Sequence, residues 1–301
     1  MRLLVDCHCF DEKTTEGINT YIKGIYTEAP KLAPNIDFYF AARDVENIRN
    51  IFGKGKNIHY IQLSDCNKFY RLLLEFPQII KKYNIDWAHY QYTAPLWKNC
   101  KTIVTLHDIL FKDFPQYFPW RYRLIKGLTF KKSATDTDIL CTVSNYSKDR
   151  IAYHFNIPSD KIVVTPNAVS EEFKHIDEEN AKKFVKDKGI NNYILYVSRR
   201  EPRKNQTEVL KAWKRLIVKN GFSHDLVFIG RPTIPSKDFN DVYNNLTITE
   251  KEHVHIIDNA PFYELKMWYK ATSLFIYPAL AEGFGIPPNR SCNGWRSGCL
   301  Q

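Results

Sequence analysis

Short apolar runs alternate with helical patterns along the whole chain, and this alternation limits the fold more than any other feature. In the first half, runs such as LLVDCHC, DFYFAA and KTIVTLHD are separated by the helical patterns GINTYIKGIYTEA and FYRLLLEFPQIIKKYN. A second series contains YILYVSR, EVLKAWKRLIVKN, DLVFIG, VHIID and SLFIYPA. Strands that alternate with helices form parallel sheets with helices on both faces, so the sequence predicts an α/β chain of two αβα domains.

The domain boundaries follow from a break in this alternation. We expect a first domain over residues 1–170, a linker over 171–190, a second domain over 191–288 and an atypical tail over 289–301. The linker is predicted because a turn-forming PN dipeptide precedes a charged stretch without a strong apolar face. Since open α/β sheets bind ligands at the carboxyl ends of their strands, we expect the two domains to face a common ligand cleft.

The composition limits the class of protein. Hydrophobic residues make up 44% of the chain and charged residues 25%, which is typical of a globular protein. Seven scattered cysteines and an amino terminus without a secretory pattern predict a reduced, cytoplasmic chain. The net charge of +10 predicts affinity for phosphate. Because the basic residues are dispersed and no nucleic-acid-binding motif is present, we expect no nucleic-acid partner.

Two cations follow the first strand of the second domain, in the stretch YVSRREPRKN. Arg199 and Lys204 would lie at the carboxyl end of that strand, beside a helix that we predict to begin near Gln206. A helix amino terminus attracts anions, and an added arginine and lysine would bind a diphosphate there. Taken alone, the same stretch also fits a solvated basic loop.

The stretch EGFGIPP follows another predicted strand, SLFIYPA. Gly283 and Gly285 would let the backbone approach a ligand closely, with Phe284 between them in the same loop. Glu282 would then present a carboxylate at the cleft. The alternative is a capping residue or an exposed turn charge.

Two features of the first domain also point to the cleft. His107, in TLHD, follows a predicted strand, where it could hydrogen-bond a substrate or transfer a proton; the alternative is a structural histidine. Gly17, in EGINTY, opens the first helix and could contact a phosphate, although a simple turn explains it as well.

A pair of carboxylates at Asp136 and Asp138 resembles a metal-binding pair. It stands at the start of the predicted strand DILCTVS, which is the end remote from the expected ligand site. We interpret the pair as a strand-entry feature and expect no metal.

Six stretches in order resemble glycosyltransferase family 4, whose members are retaining, sugar-nucleotide-dependent enzymes with the two-domain GT-B fold. They are EGINTYIKGI, LHDILFKDFPQYFP, VSNYSKDRIAYHFNIPSDKIVVTPNAV, YVSRREPRKN, LVFIG and IYPALAEGFGIPP. The resemblance implies that Arg199 and Lys204 bind the donor diphosphate and that Gly17 approaches donor and acceptor. It implies that His107 and Glu282 contact the transferred sugar, with the Gly283–Gly285 loop beside it, and that no cofactor or metal is needed.

The resemblance ends near the carboxyl terminus. In the family, a second Glu, which grips the nucleotide ribose, follows the first after seven intervening residues, but that position is Arg290 here. A reading of Asn289 to Trp295 shifted by one base can encode Ile-Glu-Ala-Val-Met-Ala-Gly, which restores the Glu. We therefore expect residues 289–301 to be an out-of-frame tail, the second domain to be incomplete and the chain to be impaired.

The function that the resemblance implies is transfer of a hexose, such as mannose, glucose or an N-acetylhexosamine, to a growing glycan. The donor is a nucleotide diphosphate sugar, and the acceptor is a surface polysaccharide intermediate or another lipid-linked glycan. The alternatives are an inactive, truncated remnant that binds a nucleotide sugar and a phosphorylase-like or synthase-like enzyme of the same fold.

A further partner is suggested by FPQYFPWRYRLIKGLTFKKS, in which aromatic residues alternate with cations. This pattern suits the interface of an anionic membrane and would place the chain on the inner face of the membrane. It equally fits an amphipathic helix that packs on the first domain and has a basic edge.

Overall fold

The chain folds into two compact units, Met1–Ala168 and Val169–Gln301. The computed structural model describes residues 1–11, 17–97, 99–169, 171–173, 175–220 and 223–294. Within these ranges, each unit is built on one parallel sheet. The prediction of a two-domain α/β fold is therefore confirmed.

The first unit contains a seven-stranded sheet in the order β3-β2-β1-β4-β5-β6-β7. Its strands are β1 (Arg2–Asp6), β2 (Asp37–Ala42), β3 (Ile58–Gln62), β4 (Trp87–Gln91), β5 (Lys101–Leu106), β6 (Ile139–Thr142) and β7 (Ile162–Val164). Its helices are α1 (Gly17–Tyr26), α2 (Ala29–Leu32), α3 (Val45–Phe52), α4 (Lys68–Tyr70), α5 (Phe76–Tyr83), α6 (Leu110–Asp113), α7 (Trp120–Asp136) and α8 (Asn145–Phe155). A π-helical turn over Arg71–Glu75 joins α4 to α5.

The second unit contains a four-stranded sheet in the order β10-β9-β8-β11. Its strands are β8 (Tyr193–Val197), β9 (Asp225–Ile229), β10 (Val254–Ile257) and β11 (Leu274–Phe275). Its helices are α9 (Glu178–Asp187), α10 (Gln206–Asn220), α11 (Lys237–Asn244), α12 (Ile248–Glu252), α13 (Phe262–Ala271) and α14 (Ile286–Gly294). The predicted strands and the helix expected from Gln206 are all present.

Most consecutive strands are joined by crossovers that contain helices, which lets the strands pair in parallel and buries both faces of the central strands. All five residues of β8 are buried, as a continuous apolar run requires. Trp213 of α10 and Trp268 of α13 complete the core of the second unit. The core of the first unit gathers around Leu4, Val104 and Phe130.

The segment expected to be a linker, 171–190, has a different structure. It contains α9, whose Ala181 and Val185 are buried, and the ring of Phe184 meets the edge of Trp268 at 5.7 Å. The apolar positions are only 181, 184 and 185, spaced three and four residues apart, which suffices for one buried stripe of a helix. The surrounding charges hid this stripe from the sequence analysis.

Two more elements differ from expectation. The short strand β7 extends the first sheet, although no strand was predicted over Ile162–Val164. The helix α14 continues through the first six residues of the predicted out-of-frame tail, and Arg290 lies over the ring of Phe173 at 5.3 Å. Residues 295–301 of that tail lie outside the described residues, and its frame remains a prediction.

None of the helices in the described ranges combines the length and the apolar composition that are needed to cross a bilayer.

We predict that Gly230→Ala destabilises the second unit strongly. Gly230 follows β9 with φ +140°, and a Cβ there would lie 2.0 Å from the main-chain oxygen of Ser198. Because that atom belongs to the backbone, the turn must shift, which we expect to cost about 3 kcal/mol or more. Urea denaturation measures the loss.

Gly189→Ala is the control, since Gly189 also has positive φ (+81°) but an open Cβ position, and the substitution should cost only about 1 kcal/mol of stability. Equal losses in the two variants would contradict the steric explanation.

Candidate functional site

Two loops of the second unit are held together where neighbouring strands end. β8 and β11 are paired in parallel, so their carboxyl ends lie side by side. The main-chain N–H of Leu280 donates to the Arg203 carbonyl at 3.0 Å, and the Arg203 guanidinium donates to the Ala281 carbonyl at 2.9 Å. Asn205 donates to the Pro278 carbonyl at 3.2 Å. These bonds fix the loop after β8 against the loop after β11.

Lys204 and Glu282 meet across these two loops. The Lys204 ammonium forms an ion pair with Glu282 Oε1 and donates to the Tyr277 hydroxyl at 3.3 Å. The Tyr277 hydroxyl also donates to Glu282 Oε1, so one carboxylate oxygen accepts two bonds. Lys204 is only 7% exposed. The structure therefore brings two of the predicted site residues into direct contact.

The Lys204 ammonium retains a donor. An ammonium group carries three N–H donors, and the two contacts above use two of them. Among the described residues no third acceptor is present. Burial lowers the pKa of Lys204, and the negative charge of Glu282 opposes this shift. An anion that reached Lys204 would therefore complete its hydrogen bonds and favour its charged form.

The other predicted residues of the second unit belong to the same two loops. Arg199 is exposed, and its carbonyl accepts a hydrogen bond from the Gln206 side chain at 2.9 Å, at the start of α10. Gly283 is buried and Phe284 is partly buried. Gly285 has φ +79°, a conformation that favours glycine.

His107 belongs to a buried polar network of the first unit. It follows β5, as predicted, and its Nε2 lies 2.8 Å from Gln91 Oε1. The Gln91 amide nitrogen lies 3.2 Å from His89 Nε2, and His89 Nδ1 lies 2.6 Å from the Tyr26 hydroxyl. The Tyr21 ring meets His107 edge-on at 5.0 Å. Neighbouring strands thus supply a chain of hydrogen bonds that ends at His107.

This chain assigns the proton on each imidazole. Because an amide oxygen only accepts, His107 Nε2–H donates to Gln91. The Gln91 amide N–H then donates to His89 Nε2, which leaves the proton of His89 on Nδ1, facing Tyr26. Burial, and then the nearby His89, lowers the pKa of His107 to about 3, and burial lowers the pKa of His89 to about 4. His107 is therefore neutral, with Nδ1 as its acceptor.

Three further residues lie elsewhere in the first unit. Gly17 is exposed and begins α1. Asp138 accepts a 2.8 Å hydrogen bond from the Thr102 main-chain N–H, and Asp136 pairs with Lys132. Asp138 therefore links the start of β6 to β5, whereas the pair of Asp136 lies within α7. Among the described residues, no group of three or more His, Cys, Asp or Glu side chains is arranged to hold a metal ion.

The sequence analysis missed Tyr277 and the partners of His107. Tyr277 was counted as part of an apolar strand, and only its position before Pro278 hinted at a strand end. His89 and Gln91 alternate in β4, a buried strand in which apolar residues are expected. Polar residues at alternate positions of a buried strand were the available signal for the network.

Comparisons with known proteins agree with this architecture. A family model described as Glycosyltransferase Family 4 matches residues 16–173, and one described as Glycosyl transferases group 1 matches residues 177–289. The chain is similar to O-antigen chain mannosyltransferase B of Escherichia coli, with 24% identity over 300 residues, 91% of this chain and 77% of the relative. It is also similar to O-antigen chain mannosyltransferase RfbU of Salmonella typhimurium, with 29% identity over 202 residues, 65% of this chain and 50% of that relative.

A solved structure shares the fold. Anabaena Alr3699/HepE, crystallised in complex with UDP and glucose, matches with a TM-score of 0.68 and 13% identity over 98% of this chain and 78% of that one. A likeness at this identity shows the fold alone, which is the GT-B type.

We predict that the buried imidazoles make the chain less stable in acid. An unfolded histidine has a pKa near 6.5, whereas His107 and His89 stay neutral in the folded state down to pKa values of about 3 and about 4. The unfolded chain therefore binds more protons below pH 6.5, and each histidine costs up to about 1.4 kcal/mol per pH unit between pH 6.5 and 4. Urea denaturation at pH 7, 6 and 5 measures this slope.

His107→Gln should flatten that slope, while His175→Gln, at an exposed site, should keep it. The interpretation is wrong if wild type and His107→Gln lose stability in parallel.

Proposed function

This chain belongs to Glycosyltransferase Family 4, and from that premise we propose that it transfers a hexose from a nucleotide diphosphate sugar to a growing glycan. The proposal includes retention of configuration at the anomeric carbon and independence from metals and cofactors. We propose mannose as the first sugar to test, because both curated relatives are named mannosyltransferases.

One observation carries the proposal: Lys204 offers a buried, unused N–H donor where β8 and β11 end. A diphosphate that accepts this bond gains a charge-assisted interaction in a place of low solvent exposure. As the bond between sugar and diphosphate breaks, negative charge grows on the leaving group, and the interaction strengthens. Arg199, exposed in the same loop, adds a second cation. Such assistance is what departure of a nucleoside diphosphate requires.

The roles of the remaining residues follow the family resemblance. Glu282 is held by Lys204 and Tyr277, so we assign it to binding sugar hydroxyls and not to nucleophilic attack. His107 is neutral and can accept a hydrogen bond at Nδ1, so we assign it contact with the transferred sugar. Gly17 and the Gly283–Gly285 loop, which includes Phe284, approach the donor closely. These assignments remain predictions.

The glycan and the cellular location are also proposals. The relatives' names point to surface polysaccharide assembly, in which the acceptor is a lipid-linked glycan. We propose that the chain works in the cytoplasm, on the inner face of the membrane.

The test is binding and transfer by the full chain. We expect one nucleoside diphosphate among UDP, GDP and ADP to raise the melting temperature most, because ligands that bind the folded state stabilise it. Lys204→Gln should weaken binding of that diphosphate about 10- to 100-fold, or about 1.4–2.8 kcal/mol, and leave binding of the corresponding monophosphate nearly unchanged. Lys211→Gln, on the surface of α10, is the matched control.

Transfer from the matching nucleotide sugar should proceed in EDTA and give a product with the donor's anomeric configuration by NMR. Glu282→Gln should lower kcat more than donor affinity. Diphosphate binding without transfer or donor hydrolysis would contradict the enzyme assignment. Equal binding of diphosphate and monophosphate by the wild type would contradict the role of Lys204.

Helix α7 supports the membrane part of the proposal. Its inner face, with Gly127 and Phe130, is buried, while Trp120, Leu124 and Leu128 are each more than half exposed. These three residues are four positions apart and form one stripe, which Arg121, Lys131 and Lys132 accompany. The helix does pack on the first unit, as one alternative expected, but it also presents a second apolar face, which is typical of an interaction site.

We predict that the chain floats with vesicles that contain phosphatidylglycerol and much less with phosphatidylcholine vesicles. Trp120→Ser combined with Leu124→Ser should reduce the bound fraction severalfold, because both apolar contacts are lost. Ile248→Ser, another exposed apolar residue in the second unit, is the control. Equal flotation of all three proteins would contradict an interfacial role for α7.

A further inference from the structure

Two cations of the first unit act on a third, Lys68, near the end of β4. Lys68 begins α4, Arg71 begins the π-helical turn, and Lys126 lies in α7. The Lys68 ammonium donates to Thr93 Oγ1 at 3.2 Å. Partial burial of the ammonium, then the charges of Lys126 and Arg71, lower the pKa of Lys68 to about 8, and Asp6 only partly opposes this. At Lys68, the repulsion from the two cations therefore exceeds the attraction from Asp6.

Arg71 lacks the partners that a buried guanidinium needs. It is 8% exposed, its Nε is shielded from solvent, and no hydrogen-bond acceptor for its side chain is found among the described residues. The negative charge of Asp6 acts on it, but that carboxylate already accepts bonds from the main-chain N–H and Nδ1 of His8. The nearby Glu75 accepts from Ser64. A buried donor without an acceptor is costly, so its presence points to an absent anion.

Tyr92 and Phe130 connect the surroundings of Lys68 and Lys126 to His107. Thr93, which holds Lys68, follows Tyr92, a bulky residue with φ 63°. This left-handed conformation is strained, and such strain is concentrated at functional sites. The Tyr92 ring lies 5.3 Å from the His107 ring and stacks on Phe130 at 4.7 Å. The Lys126 ammonium stands over the Phe130 ring at 5.4 Å. An anion bound by these cations would therefore lie in the same part of the first unit as His107.

Exposed apolar side chains flank the cations. Phe69 is 75% exposed and directly follows Lys68, and Leu74 is exposed in the same helical segment. Leu96, four residues after Tyr92, lines a cavity of about 170 Å³ together with Leu128 of α7. Trp97, the residue after Leu96, is 65% exposed. A cluster of cations bordered by exposed apolar surface fits an amphiphile that carries a phosphate on a hydrocarbon chain.

We propose that Lys68, Arg71 and Lys126 bind a phosphate group of the acceptor, and that the apolar side chains beside them hold the lipid chain to which that phosphate is attached. This inference rests on the proposed function, since it names the acceptor class of the same reaction. A bilayer headgroup is a poorer match, because Arg71 is buried and a flat lipid surface cannot reach it. A single phosphate-bearing molecule can reach Arg71 and accept hydrogen bonds from the N–H groups of its side chain.

The test measures binding of farnesyl diphosphate to the full chain by titration calorimetry, with farnesol, inorganic pyrophosphate and phosphatidylglycerol vesicles as comparisons. We expect farnesyl diphosphate to bind at least 10-fold more tightly than farnesol or pyrophosphate, because each of those lacks one half of the recognised chemistry. Lys68→Gln and Lys126→Gln should each weaken farnesyl diphosphate binding about 10-fold. Lys161→Gln, at an exposed lysine elsewhere in the first unit, should leave farnesyl diphosphate binding unchanged. Arg71→Gln should weaken farnesyl diphosphate binding further, and circular dichroism verifies that this variant is folded.

Two results would overturn the proposal: variants that bind farnesyl diphosphate as tightly as the wild type, or binding to vesicles alone. Binding of the preferred nucleoside diphosphate, measured on the same samples, separates the two hypotheses. Nucleotide binding without farnesyl diphosphate binding overturns only the acceptor site. A wild-type chain that binds neither a nucleoside diphosphate nor farnesyl diphosphate overturns the proposed function.

Discussion

Parallel pairing of strands is the constraint on which both units depend. In a parallel sheet every strand ends at the same edge, so residues far apart in the chain meet without any long loop. Gln91 and His107 follow or end neighbouring strands β4 and β5, and Lys204 and Glu282 follow the neighbouring strands β8 and β11. The chemistry of each unit therefore gathers at one edge, while the apolar strands behind it form the core.

The ion pair between Lys204 and Glu282 is a costly feature of that edge. Removing two charges from water costs several kcal/mol per ion, and their attraction rarely returns more than this amount. The pair is maintained because the side chains of Arg203 and Asn205 hold the loops around it by donating to main-chain carbonyls, and because Tyr277 adds a donor to the carboxylate. A pair of similar apolar side chains would be at least as stable, so the arrangement is better explained by ligand binding than by folding.

The sequence was sufficient to predict most strands, the two-domain fold and the positions of His107, Lys204 and Glu282 at strand ends, since each follows an apolar run that ends abruptly. It was not sufficient for α9, because its buried stripe is only three residues among many charges. It also could not show that Gln91 orients His107 or that Arg71 lacks a partner. Those facts depend on which strands and helices are neighbours, and periodicity along one element does not contain this information.

The cations of the two units have different surroundings, and this difference affects how each unit would bind an anion. Lys204 is already neutralised by Glu282, so an incoming diphosphate gains one hydrogen bond and partly displaces an existing attraction. Lys126 and Arg71 repel the Lys68 ammonium, so an anion that binds there relieves this repulsion and gains new contacts at once. Exposed Lys68 and partly buried Lys126 are also screened by salt, whereas the pair of Lys204 and Glu282 is screened much less. Binding at the first unit should therefore be the more sensitive to ionic strength, and the second unit should owe its selectivity to geometry.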